Sequence, residues 1–255
     1  MKRFRICQIP WKIIIVSAFV VSAFELLYLE YSFRLYLESF PDFLGIDAFF
    51  FYYGNYPGEV EKGFSMMHYA MVLLSFIIAF YFVTSDIHIN TCEMLYYILI
   101  RREEKWKQIY MDLKRILATI SLWQLAFNAM SYIFLSYIYG WSGKSYFLKE
   151  QFNVLVLWRK MLSFTFRQIS ILFVMSIFLY FFVLVINEFW GIICIISTTA
   201  IKLFFEFGKK NKKYGLICIS SDFRWTMLCS ICVLGLLYIL RKQIVKVMRI
   251  CLNKK

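Results

Sequence analysis

Six long apolar stretches constrain this chain more than any other feature of its sequence. A transmembrane helix needs about 20 apolar residues, with a range of roughly 17 to 25, to cross the hydrocarbon core. The stretches that approach this length cover residues 13–31, 64–84, 116–139, 169–186, 189–205 and 225–240. The last two lie at or just below the lower limit. The sequence therefore predicts an all-α integral membrane protein with six transmembrane helices.

Composition excludes a soluble protein. The chain is 61% hydrophobic and 21% aromatic, and a soluble domain of this length carries more charge and far less Phe. The net charge is +13, but the basic residues cluster beside the apolar stretches. Anionic lipid headgroups and the positive-inside bias explain this placement without a nucleic-acid partner. We expect one transmembrane domain over residues 1–255 and no separate soluble domain.

The distribution of Lys and Arg favours cytoplasmic N- and C-termini in the cell (plasma) membrane. A rival layout makes residues 146–158 a seventh span and places the C-terminus outside. This stretch is too short to cross about 30 Å of hydrocarbon at 1.5 Å per residue. We therefore predict six spans, with residues 146–166 forming an interfacial or re-entrant segment on the outer side.

A charged stretch in helical rhythm, residues 90–115, separates the second and third spans. Asn90 followed by Glu93 is a capping-box pattern, which predicts a helix start. This helix, residues 90–102, ends at Arg101 and Arg102. Apolar residues from Trp106 onward then repeat every three to four positions and continue into the third span without a helix breaker. Such an element can transmit a displacement from the cytosol to a span, or it can simply lie on the membrane surface.

The same stretch resembles the loop between the second and third spans of type 2 ATP-binding-cassette (ABC) exporter permeases. The residues that carry the resemblance are Asp86, Asn90, Thr91, Glu93, Leu95, Arg101, Arg102 and Lys114. Asn90 stands where the family usually has Gly, and the proline often found in the turn is absent. The six-span layout, the chain length and the cytoplasmic termini are also similar to that family.

The resemblance implies a coupling helix over residues 90–102 that docks on a separate cytosolic ATPase. The residues it assigns to docking are Asn90, Thr91, Glu93, Leu95, Arg101, Arg102 and Trp106. It also implies a dimer with a second permease copy or a related permease. ATP and Mg²⁺ would be bound by the ATPase partner and not by this chain. The aromatic spans suit export of an amphipathic or peptide-like substrate.

Two ionisable residues fall well inside predicted spans, where charge is costly and usually paired or functional. At 1.5 Å per residue, Glu25 lies about 20 Å along its helix from Lys12, and Lys202 lies about 21 Å from Glu188. The resemblance places the first and fifth spans at the subunit interface, where Glu25 and Lys202 would form an intramembrane charge pair. Alternatively, each side chain reaches separately to the outer headgroups.

Polar residues elsewhere indicate no catalytic or metal site. Gln124 and Asn128 lie one turn apart in the third span, where hydrogen bonding between helices is favoured over substrate contact. His68 and His88 are the only histidines, without a zinc-binding cluster, and no Gly-rich phosphate loop is present. We therefore expect a transport subunit without enzymatic activity of its own. The alternative is a non-transporting membrane protein, such as a self-protection (immunity) or sensor subunit.

Overall fold

The computed structural model describes residues 11–38, 44–53, 69–85, 105–144, 151–185, 188–208 and 235. Within these residues the chain is helical apart from one short β-ladder, which confirms the prediction of an all-α fold. The helices are α1 (Trp11–Glu38), α2 (Gly45–Tyr52), α3 (Tyr69–Ser85), α4 (Lys105–Tyr139), α5 (Val154–Val185) and α6 (Glu188–Gly208).

Three helices are long and apolar enough to cross a membrane. Their apolar segments are Trp11–Tyr31 in α1, Ile109–Tyr139 in α4 and Val154–Phe181 in α5. Helix α3 and the segment Phe189–Ile201 of α6 are apolar but shorter. These helices overlap the first five predicted spans, whereas the sixth falls outside the described residues except for Gly235. The six-span count therefore stays a prediction.

One side of α1 exposes large apolar side chains. Phe19, Phe24 and Leu27 retain 52%, 61% and 63% of their accessible surface. Exposed apolar surface of this extent on one helix marks a membrane or protein contact. Contact with lipid tails satisfies these side chains without any partner.

Helices α1 and α4 run in the same direction. Ser22 contacts Ser131, and farther along both helices the Tyr139 hydroxyl donates to Glu30 at 2.5 Å. Residues with higher numbers in α1 thus contact residues with higher numbers in α4, as in parallel helices. This is the arrangement that the six-span layout requires, because α1 and α4 correspond to its first and third spans.

Helix α5 runs antiparallel to α4, which packs against α1, α2 and α5. A two-residue antiparallel ladder joins α4 to α5, with Gly143–Lys144 paired to Gln151–Phe152. Gly140, which follows α4, has a φ of 99°, a left-handed conformation that favours glycine. These features reverse the chain tightly between two long helices.

Residues 154–166, which the sequence analysis assigned to an interfacial or re-entrant segment, lie in a long helix. These residues form the beginning of α5, which continues unbroken to Val185. The charged residues in this region do not interrupt the helix. Arg159 and Lys160 are exposed, whereas Arg167 is buried with its guanidinium 5.1 Å from the Phe164 ring centroid. The segment of α5 that is long and apolar enough to cross a membrane, Val154–Phe181, thus begins before residue 169.

A short helix that the sequence analysis did not predict enters the bundle. All residues of α2 are buried. Its first turn is capped by Asp47, whose carboxylate accepts from the Leu44 N–H at 3.1 Å. The Gly45 N–H donates to the Gly140 carbonyl at 3.1 Å, and Tyr53, directly after the helix, reaches Asn128. Helix α2 therefore runs antiparallel to α4 and ends beside the middle of that helix.

Candidate functional site

Polar side chains line one face of α4 inside the bundle. Gln124, Asn128 and Ser131 are spaced by four and then three residues, which places them on the same side of the helix. Each is at most 1% exposed. Polar groups at this depth in a membrane helix need protein partners, because lipid offers no hydrogen bonds. The partners come from α1, α2 and α5.

Asn128 is the centre of an amide network. Its amide nitrogen donates to Thr165 at 2.9 Å and to Gln168 at 2.7 Å. Its amide oxygen accepts from the Tyr53 hydroxyl at 2.6 Å and from Gln124 at 3.2 Å. An asparagine side chain has two donor hydrogens and two acceptor lone pairs, so all four are used. Residues of α2, α4 and α5 are thereby joined at one point.

Gln124 extends this network. Its amide nitrogen also donates to Gln168 at 2.8 Å. Together with the bonds of Asn128 to α5, this contact confirms the prediction that Gln124 and Asn128 form hydrogen bonds between helices. The Gln124 amide oxygen is buried and has no hydrogen-bond partner in the described part of the chain. Among the described residues, this oxygen is thus an acceptor that the network does not use.

A second polar group lies beside the first, between α1 and α4. Glu25 is 1% exposed, and its Oε2 lies 2.5 Å from the Ser131 hydroxyl. The Ser131 hydroxyl is also 3.1 Å from that of Ser22, which lies 3.3 Å from the Phe127 carbonyl oxygen. Glu25 Oε1 is buried without a hydrogen bond to any described residue. A carboxyl group is thus held inside the bundle by Ser131, which Ser22 contacts in turn.

The predicted partner of Glu25 is not visible at this site. Lys202 belongs to α6, but its side chain lies outside the described residues. The charge pair of Glu25 with Lys202 therefore stays a prediction.

Aromatic rings from α2 form a wall of the site. Phe49 and Phe50 contact the ring of Phe164 edge-on, with centroids 5.7 and 5.4 Å apart. The Tyr53 ring lies 5.0 Å from the same ring. This packing fixes the Tyr53 hydroxyl next to Asn128. The interior thus combines amide groups with an aromatic surface.

The predicted docking residues lie mostly outside the part of the chain that the structure describes. This holds for Asn90, Thr91, Glu93, Leu95, Arg101 and Arg102. Trp106 is in the first turn of α4, which runs from Lys105 to Tyr139. The prediction that this second helical phase continues into the third span is confirmed. At 1.5 Å per residue, Trp106 lies about 27 Å along the helix from Gln124.

A third buried polar group near the beginning of α4 was also missed by the sequence analysis. The Tyr180 hydroxyl donates to Asp112 Oδ2 at 2.9 Å, and Arg115 lies 3.7 Å from Asp112 Oδ1. Asp112 and Arg115 are one turn apart, a spacing that pointed to an ion pair. These contacts join the beginning of α4 to the later part of α5.

The remaining site residues that sequence reasoning missed are Ser22, Tyr53, Ser131, Thr165 and Gln168. Thr165 and Gln168 are spaced by three residues within an apolar helix, and that spacing was the available signal. Comparison of the chain with protein-family models, curated proteins and solved structures finds no match.

Proposed function

We propose that this chain is the permease subunit of an ABC exporter, driven by ATP that a separate cytosolic subunit hydrolyses. In this proposal the chain has six spans and cytoplasmic termini in the plasma membrane. It pairs with a second copy or a related permease. ATP and Mg²⁺ are bound by the ATPase, and this chain supplies the membrane pathway.

The observation that carries the proposal is the continuity of α4. One helix extends from Trp106, within the charged stretch, to the buried amide network around Asn128. A displacement of its cytosolic end therefore moves the polar interior directly. Bonds from Asn128 to Thr165 and Tyr53 extend this displacement to α5 and α2. A transporter whose ATPase is a separate subunit requires such a connection.

The chemistry of the interior supports an amphipathic or peptide-like cargo. Amide side chains of Gln124, Asn128 and Gln168 offer the donors and acceptors that a peptide backbone needs. The neighbouring rings of Phe49 and Phe164 suit apolar side chains. An opening of the bundle would expose both kinds of surface together.

One observation favours the alternative, a non-transporting membrane protein with a self-protection or sensor role. Every hydrogen-bonding position of Asn128 is satisfied within the protein. A closed network of this kind is also what a purely structural interior would contain. The ATPase partner distinguishes the two functions.

The test uses variants in the predicted coupling helix. Glu93→Ala removes a helix cap, at about 1 kcal/mol, and an interface charge, at about 2–5 kcal/mol. Because each 1.4 kcal/mol is about tenfold in affinity, we expect at least a hundredfold weaker association with the ATPase. Leu95→Asp should have a similar effect. The measurement is recovery of the ATPase with tagged permease, normalised to the permease inserted in the membrane.

Glu104→Ala is the matched control, since it removes a carboxylate from the same stretch outside the proposed docking residues. It should recover the ATPase as the wild type does. Wild-type recovery with both Glu93→Ala and Leu95→Asp would contradict the coupling role of residues 90–102.

A further inference from the structure

Three oxygen–oxygen contacts in a row link Glu25 to the backbone of α4. They join Glu25 Oε2 to Ser131, Ser131 to Ser22, and Ser22 to the Phe127 carbonyl oxygen, at 2.5, 3.1 and 3.3 Å. If all three contacts are hydrogen bonds, each needs one hydrogen between its two oxygens. The chain of contacts therefore needs three hydrogens.

The two serines supply only two of them. A backbone carbonyl can only accept, so the Ser22 hydrogen points to Phe127. The Ser131 hydroxyl must then donate to Ser22, because each hydroxyl has a single hydrogen. The hydrogen between Ser131 and Glu25 comes from Glu25 itself, as a neutral carboxylic acid. An ionised Glu25 would leave one of the three contacts without a hydrogen.

The surroundings of the other carboxyl oxygen, Oε1, also favour a neutral Glu25. Glu25 Oε1 is buried and receives no hydrogen bond from the described residues. A carboxylate shares its charge between both oxygens, and a buried charge without donors is costly. In the neutral acid Oε1 is only a carbonyl oxygen, for which this environment is far less unfavourable.

The groups that face Glu25 do not supply a compensating cation within the described residues. From α2 the neighbours are Tyr52 and Tyr53, and Tyr28 of α1 lies near Tyr52. From α4 the neighbour is Ser131. The remaining described charges at buried or helix-end positions are engaged elsewhere. Asp112 and Arg115 contact each other, Asp47 accepts from the Leu44 N–H, Glu30 accepts from Tyr139, and Arg167 lies over Phe164.

We propose that Glu25 is a proton-binding site of the membrane domain. In the packed bundle it holds the proton as a carboxylic acid that donates to Ser131. When water enters between α1 and α4, the O–H bond of Glu25 breaks and the proton passes to water. The resulting carboxylate then accepts the Ser131 hydrogen, which turns away from Ser22. This site goes beyond the proposed transport role and does not depend on the ATPase.

The test is infrared spectroscopy of the full-length protein in lipid vesicles at neutral pH and after alkalinisation. A protonated carboxyl has a carbonyl stretch that a carboxylate lacks. We expect this band at neutral pH in the wild type, its loss on alkalinisation, and its absence in Glu25→Gln. Glu30→Gln is the control, because Glu30 accepts from Tyr139 and should not contribute the band. Wild-type and Glu25→Gln spectra that agree in this region would overturn the proposal.

A second variant covers the case in which Glu25→Gln does not fold. Ser131→Ala removes the acceptor of the acid hydrogen, so the carbonyl band should shift in frequency while remaining present. A band that is unchanged by Ser131→Ala would also contradict the proposal, since the acid would then not donate to Ser131. Because Gln is the isostere of the neutral acid, Glu25→Gln should match the wild type in thermal stability. An ion pair with Lys202 would instead be broken by the same substitution.

Discussion

Replacing Asn128 by Leu should destabilise the bundle through its hydrogen bonds and not through its volume. The substitution is close to isosteric and removes four hydrogen bonds, to Tyr53, Gln124, Thr165 and Gln168. Hydrogen bonds between membrane helices average about 0.6 kcal/mol each. We therefore expect a loss of about 2.4 kcal/mol in the free energy of unfolding.

A double-mutant cycle with Tyr53→Phe isolates one of these bonds. Tyr53→Phe alone should cost about 0.6 kcal/mol, because it removes the 2.6 Å bond to Asn128. The double variant does not lose this bond a second time, because Asn128→Leu has already removed it. Its cost should therefore fall below the sum of the two single costs by at least about 0.6 kcal/mol.

The assay is reversible unfolding by a denaturing detergent in lipid bicelles. Tyr137→Phe is the matched control, since Tyr137 is 83% exposed, and its substitution should change stability by less than about 0.5 kcal/mol. Strictly additive costs for Asn128→Leu and Tyr53→Phe would refute the hydrogen bond between them.

Two further substitutions test how α2 and α5 pack on α4. Gly45→Ala would place a Cβ atom 2.3 Å from the Ser136 Cα, so the backbone must move. We expect the same assay to show a loss of about 1–3 kcal/mol in the free energy of unfolding. Wild-type stability would contradict the close approach of α2 to α4. Tyr180→Phe removes a hydrogen bond to the Asp112 carboxylate and should lower the free energy of unfolding by about 1.5–3 kcal/mol. Tyr137→Phe is again the control. An equal effect of the two substitutions would show that the Asp112 contact contributes no stability.

Apolar length and helical periodicity predicted much of what the structure describes. Helices α1, α4 and α5 coincide with stretches that are apolar over a span's length, a property fixed by local sequence. The repeat from Trp106 onward predicted that α4 begins before the membrane, and it does. Gln124 and Asn128 were expected to bond between helices because few alternatives exist for amides at that depth.

The short helix α2 could not be found in the same way. Helix α2 is shorter than a span and buried on all sides, so neither length nor an amphipathic pattern identifies it. Its position depends on Gly45 packing against Ser136, which is distant in sequence. The early start of α5 was missed because Arg159, Lys160 and Arg167 reduce local hydropathy. The fold places Arg159 and Lys160 on exposed surface and Arg167 over the ring of Phe164, so these charges do not interrupt the helix.

Purification of the intact protein with its native partners tests the central claim most directly. The tagged wild-type chain, extracted in mild detergent, should carry with it a cytosolic ATPase subunit. The recovered complex should hydrolyse ATP, with a rate that responds to reconstitution in lipid. Recovery of the permease with no ATP-hydrolysing partner, under conditions that keep the membrane domain folded, would contradict the transport function proposed here.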